Sequence, residues 1–279
     1  VERADGGANI VMRHSDIRMG VMPRKGPAMT TFDRKIFFDS VRPSLFAGSM
    51  DQAQVDGMNY ILDAWEQHAS HRDIRELAYF LATSYHETAQ AMQPVEEYGH
   101  GGDADYAKPD PETGESYYGR GYVQLTWADN YKRADTEFQW DGDKSCYWHP
   151  EIQLQAFEAA MTGYRGMMEG WFRSDSQGRQ DFDRYFSDTV DDPYGAREII
   201  NGDKKTVPSW SNGVSIGNLI RGYHQDFLAA LTDARQEAPP EPEPEPEPEP
   251  AGVVTVKLVY TIDAPEGVQV VVNVDQAVA

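Results

Sequence analysis

The sequence predicts a mainly α body over residues 30–236, then an extended spacer over 237–251 and a short β segment over 252–279. Three observations carry this. Apolar residues recur at helical spacing from Thr31 to Ala234. Strand-like alternation is scarce before residue 235. Glu241 to Pro250 alternates Glu and Pro strictly, a pattern that can pack no core.

The elements follow in order. Residues 1–29 mix Gly6, Gly7, Gly20, Pro23, Gly26 and Pro27 with isolated charges and show no period, so a flexible extension is expected. Phe32, Ile36, Phe37 and Val41 predict a first helix, closed by Pro43. Ser49 and Gln52 have capping-box spacing ahead of Val55, Met58, Ile61, Leu62 and Trp65. Asp73 opens a third helix with Leu77, Phe80, Leu81 and Tyr85 facing inward. Pro150 suits the first position of a helix carrying Ile152, Leu154, Phe157, Ala160, Met161 and Tyr164. A last helix spans residues 214–234, with Ile216, Leu219, Ile220, Tyr223, Phe227 and Leu231. Beyond the spacer, Val254 to Ile262 and Val268 to Val274 read as a hairpin. Two strands cannot make a core, so this tail is expected to associate with copies of itself or with a wall or phage component.

Composition excludes several classes. The chain has 46 acidic and 25 basic residues and a net charge of −21. Nucleic acid needs a cationic footprint, so no nucleic-acid partner is expected. No apolar stretch approaches the roughly 18 residues of a membrane span, so no membrane insertion is expected. Cys146 is the single cysteine, which precludes an intrachain disulfide and suits a reducing compartment. Residues 1–26 lack the apolar run of a signal peptide, so cytoplasmic synthesis is expected.

Chemistry-bearing residue types concentrate between Tyr85 and Tyr131. In Ser84-Tyr85-His86-Glu87-Thr88, position 90 is Gln, so a His-Glu-x-x-His zinc motif is absent. Glu87 falls near the helix face of Phe80 and Ser84, where partial burial would suit a general acid. Glu96-Glu97-Tyr98-Gly99 follows Pro94. A helix end and a turn can set a carboxylate of this pair across a cleft from Glu87, and glycoside hydrolysis needs such a pair. Tyr117-Tyr118-Gly119-Arg120-Gly121-Tyr122-Val123-Gln124-Leu125-Thr126 bends around two glycines. Tyr122, Gln124 and Thr126 then alternate with Val123 and Leu125 as on a short strand. His100, Asp103, Asp105 and Asp110 fit neither an EF-hand nor a zinc pattern and read as a loop beside the cleft.

These residues resemble a family. His86-Glu87-Thr88, the Tyr-Tyr-Gly-Arg-Gly-x-x-Gln-Leu-Thr run, Asn130-Tyr131 and Ile199-Ile200-Asn201-Gly202 are similar, in order, to the motifs of glycoside hydrolase family 19, the family of plant-type chitinases and phage endolysins. The resemblance covers residues 31–235. It implies an α+β lysozyme-like fold of two lobes, with a small β-hairpin at the cleft. It implies an inverting mechanism with no metal or organic cofactor. Glu87 matches the general acid and Glu96 the second carboxylate of the endolysin branch, with Glu97 adjacent and open. Thr126 matches the residue that helps hold the attacking water. Gln124, Asn130, Tyr131, Asn201 and Tyr118 match the substrate-binding positions.

Departures favour the endolysin branch. One cysteine cannot supply the plant members' disulfides, the plant second carboxylate lies further along, and Asp129 stands where the family has tyrosine. The expected activity is cleavage of β-1,4 bonds in peptidoglycan glycan strands, acting on the wall after release at host cell lysis. A chitinase acting on N-acetylglucosamine polymers is the alternative. A non-catalytic wall-binding or virion module is the alternative of another class.

Overall fold

The computed structural model describes residues 30–138 and 145–237. The extension 1–29, the spacer beyond Glu237 and the tail lie outside them. The body is mainly α. Its helices are α1 (Arg34–Leu45), α2 (Gln52–His68), α3 (Ile74–Glu87), α4 (Ala128–Glu137), α5 (Ala156–Glu169), α6 (Phe182–Tyr185) and α7 (Ile216–Ala234). Six short strands form three antiparallel pairs among the described residues. These are β1 (Thr30–Phe32) with β6 (Arg235–Glu237), β2 (Val95–Glu96) with β3 (Arg120–Gly121), and β4 (Ser174–Asp175) with β5 (Gly178–Arg179).

Helix α3 is the axis of the larger lobe. Asp73 caps it, accepting a hydrogen bond from the Arg75 amide at 2.9 Å. Every residue from Glu76 to Tyr85 is buried. A helix buried all round must be enclosed by others. Helix α7 packs along it, α1 packs on α7, and α5 bridges α3 to α2. Glu76 is the charged residue within this buried run of α3. Arg72 donates to both its oxygens at 2.7 and 2.8 Å, and the Tyr164 hydroxyl donates at 2.7 Å, so the buried carboxylate is satisfied. A separate cluster of Tyr117, Leu125, Tyr131, Ala134, Cys146, Tyr147 and Trp171 forms the core of a smaller lobe around α4. The two-lobed α-rich expectation therefore holds.

Local details differ from expectation. Pro43 lies inside α1, which runs on to Leu45, so the proline does not close it. Phe32 belongs to β1, and Ile36 is 44 % exposed and faces outward. The capping box of α2 is Asp51 with Gln54, two residues after the expected Ser49 and Gln52. The Asp51 carboxylate accepts from the Gln54 amide at 2.8 Å, and the Gln54 side chain accepts from the Asp51 amide at 3.0 Å. Pro150 starts a 3-10 turn that ends at Leu154, and α5 begins only at Ala156. The strand expected over residues 122–126 is cut to Arg120–Gly121, because Gln124 takes a left-handed backbone at φ 58° and Leu125 bonds back to Arg120. The β1–β6 pairing joins the ends of the body and sets Glu237, expected in the spacer, opposite Thr30.

Candidate active site

Between the lobes a cleft of about 480 Å³ is lined by Glu87 on one side and Glu97, Tyr106 and Gly119 on the other. Gln124, Thr126, Trp127, Asn130 and Asn201 complete its polar and aromatic lining. A second groove, between α2 and α5 around Trp65 and Met161, also carries carboxylates, Glu137 and Glu158, but none of the site residues expected from the sequence lines it.

Glu87 is the last residue of α3, so the most buried helix of the fold delivers it. Its Oε1 accepts a hydrogen bond from Arg197 Nη1, and its other oxygen has no hydrogen bond from the described residues. Arg197 sits in the 3-10 turn Gly195–Ile199, and its side chain is 3 % exposed. The same guanidinium grips Asp203 in a fork, Nε to Oδ1 at 2.7 Å and Nη2 to Oδ2 at 3.1 Å. One buried cation thus holds two carboxylates. Burial alone would push the Asp203 carboxyl up, but the hydrogen bonds and charge of Arg197 outweigh it and hold it below its usual range. His86 is pushed down chiefly by burial, which favours the neutral ring beside Glu87.

The opposite wall is built by the β2–β3 pair. Glu96 sits opposite Arg120 in that ladder and is not among the residues that line the cleft. The Tyr118 hydroxyl donates to it at 2.8 Å, and His100 Nε2 and Arg120 Nε lie 3.5 and 3.6 Å away. Glu97, one residue on, faces the lining. Its Oε2 accepts from the Gly119 amide at 3.0 Å, and its Oε1 accepts from the Tyr106 hydroxyl at 2.9 Å. A Cβ at Gly119 would stand 2.8 Å from the Gln124 side-chain oxygen, so any larger residue there would displace the Gln124 amide from the loop it braces.

Of the expected site residues, Glu87, Thr126, Gln124, Asn130 and Asn201 meet in the cleft. The Thr126 hydroxyl donates to the Gln124 carbonyl at 2.8 Å, so its oxygen is left as an acceptor. Gln124 Nε2 braces the loop, donating to the Val95 and Gly121 carbonyls at 3.1 and 3.3 Å. Asn130 donates to the Thr126 carbonyl at 2.8 Å, and Asn201 to Asp203 at 3.3 Å.

Tyr131 does not reach the cleft. It is fully buried, its hydroxyl lies 3.1 Å from the Tyr118 and Leu125 carbonyls, and its role is to hold the loop. Tyr118 is also absent from the lining. It stacks on His100 at 4.6 Å and under the Arg120 guanidinium at 3.7 Å. The acidic loop after Gly99 is dispersed: Asp105 pairs with Lys108 at 2.6 Å, and Asp110 accepts from its own turn and from Tyr147. Arg197, Asp203, Tyr106 and Trp127 are site residues that sequence reasoning missed. Arg197 and Asp203 flank the Ile-Ile-Asn-Gly motif at four residues before and two after Asn201, and Trp127 follows Thr126 directly.

No family model matches the chain, and no curated protein matches it. Among solved structures it is similar to chitinase C from Streptomyces griseus at 20 % identity and a TM-score of 0.46, covering 72 % of this chain and 76 % of that one. A bacterial family 19 chitinase matches at 21 % identity and a TM-score of 0.42, covering 72 % and 94 %. A family GH19 class IV chitinase from Zea mays matches at 18 % identity and a TM-score of 0.43, covering 75 % and 96 %.

Proposed function

We propose that the protein is a glycoside hydrolase that cleaves β-1,4 bonds in the glycan strands of peptidoglycan by inversion. The observation that carries this reading is one cleft lined by Glu87 from the end of α3 and by Glu97 from beside the β2–β3 pair, with Thr126, Gln124 and Asn130 in the same lining. Glu87, with Arg197 on Oε1, presents its other oxygen to the glycosidic oxygen. The proton on that oxygen passes to the leaving group as the C1–O bond breaks. Glu97 takes a proton from a water on the far face of the sugar as the new C1–O bond forms. The water must donate both hydrogens so that a lone pair faces C1. Glu97 accepts one, and the Thr126 oxygen, whose own hydrogen is held by Gln124, accepts the other. The assignment moves the second carboxylate from Glu96 to Glu97.

Peptidoglycan over chitin is supported by the short sequence distance between the two carboxylates and by the lone cysteine. The test is release of reducing ends from purified cell walls and from colloidal chitin, by the wild type and by Glu87→Gln. The expected result is turnover of walls without new amino termini, lost by about three orders of magnitude in the variant. Preference for chitin would replace the substrate. Turnover of neither polymer would sink the enzymatic reading.

A further inference from the structure

Two exposed tryptophans lie close in structure or in sequence to the residues that hold or flank the two cleft carboxylates. Trp127 is 53 % exposed, lines the cleft, and meets Tyr106 edge-on at 5.3 Å. Tyr106 in turn bonds Glu97. Trp210 is 63 % exposed and stands outside the lining. Its ring lies 6.4 Å from His86, the neighbour of Glu87. Glu97 is thus linked through Tyr106 to the Trp127 indole, while Trp210 approaches the residue that precedes Glu87.

The loop that carries Trp210 is tied at both ends. It leaves Asp203, which Arg197 holds, and returns to α7 through bonds from the Ile216 amide to the Thr206 carbonyl at 2.9 Å and from the Gly217 amide to the Lys204 carbonyl at 3.1 Å. Within it, Ser211 is buried, and both its amide and its hydroxyl donate to the Pro208 carbonyl, at 3.1 and 2.8 Å. The indole sits on the turn so closed. Val207 and Val214, 52 % and 39 % exposed, extend the apolar surface of the same loop.

We infer that Trp210 is a stacking platform for an N-acetylhexosamine ring of the polysaccharide, a subsite beyond Glu87 that extends the cleft along the glycan. The inference rests on the glycosidase reading. A β-linked hexopyranose presents a face of axial C–H bonds, and a flat, electron-rich indole is the side chain that best covers it. Because the loop starts at Asp203 and the indole lies 6.4 Å from the His86 ring, a sugar on Trp210 would hold the strand beside the wall that carries Glu87. Trp148 is a matched reference. It is 49 % exposed, packs against Tyr147 and does not line the cleft.

The test measures binding apart from turnover, in the Glu87→Gln background, by calorimetric titration with a β-1,4 N-acetylglucosamine hexamer and with glycan strands freed of peptide. Trp210→Ala is expected to weaken binding about tenfold, near 1.4 kcal/mol. Trp210→Phe recovers part of the loss, and Trp148→Ala leaves affinity unchanged. Unchanged affinity in Trp210→Ala, with the parent protein binding normally, overturns the platform and leaves the glycosidase reading standing. A parent protein that binds neither glycan overturns both.

Discussion

The two walls of the cleft hold their carboxylates by opposite means. Glu87 stands at the end of a helix buried over ten residues, and a guanidinium that is itself buried fixes one of its oxygens. Glu97 stands on a loop beside two-residue strands, held by a backbone amide and a tyrosine, both neutral. The backbone just after it is left-handed at Gly99, His100, Gly101 and Gly102. One wall is set by the core and by charge, the other by loop conformation and neutral hydrogen bonds. Damage to the first should therefore reach the fold, while damage to the second should reach the reaction and leave the fold intact.

The largest effect expected on this contrast is at Arg197. Arg197→Ala leaves Glu87 and Asp203 facing each other without their shared cation. Breaking a buried pair in this way costs about 3–5 kcal/mol. Urea unfolding should show that loss together with loss of turnover, and Arg197→Lys should recover only part because a lysine lacks the fork. A change below about 1 kcal/mol would mean that the acid wall does not depend on its ion pair.

Acid should attack the same lobe next. His224 on α7 is 2 % exposed, its Nε2 lies 3.2 Å from the Arg75 carbonyl, and its ring stacks on Phe186 at 5.5 Å. Burial lowers its pKa to about 4. The unfolded chain, with a pKa near 6.5, therefore binds a proton first. The stabilisation is complete above about pH 6.5 and is lost as pH falls from there toward 4, by about 3 kcal/mol. The low Asp203 carboxyl has the carboxylate sign. Its contribution is present above about pH 4 and fades as pH falls below that. Unfolding midpoints between pH 7 and 4 should fall in the wild type and flatten in His224→Phe. Equal slopes in both proteins would clear His224.

On the loop wall, the proposed role of Thr126 in holding the water predicts that Thr126→Ala lowers kcat by about 10–100-fold with KM little changed. A rise in KM alone would make Thr126 a substrate contact. The smallest effect belongs to Tyr106→Phe. It removes one of the two donors to Glu97, worth about 1 kcal/mol, or a few-fold in rate, with no measurable change in unfolding. A loss of stability there would erase the contrast between the walls.

The helices and the acid wall were legible in sequence because period and capping are local signals. The stripe of α3 and its Asp73 cap could be read directly, and Glu87 was singled out by the resemblance of His86-Glu87-Thr88, at the end of that helix, to a family motif. The loop wall was not legible to the residue. Glu96 and Glu97 differ by one place in an extended segment, and one place reverses the direction of a side chain. Only the folded chain separates them: Glu97 lines the cleft, bonded to the Gly119 amide and the Tyr106 hydroxyl, and Glu96 is not in the lining. Arg197 was hidden for another reason: it meets Glu87 across 110 residues of chain, and no local pattern announces such a contact.

The central claim is that Glu87 works with Glu97 and not with Glu96. The direct measurement is turnover of soluble peptidoglycan glycan strands by Glu97→Gln and Glu96→Gln, with the fold of each checked by thermal unfolding. The account predicts that Glu97→Gln loses about three orders of magnitude in kcat while Glu96→Gln stays within about threefold of the wild type. Near-normal turnover in Glu97→Gln, with Glu96→Gln inactive and folded, would contradict it.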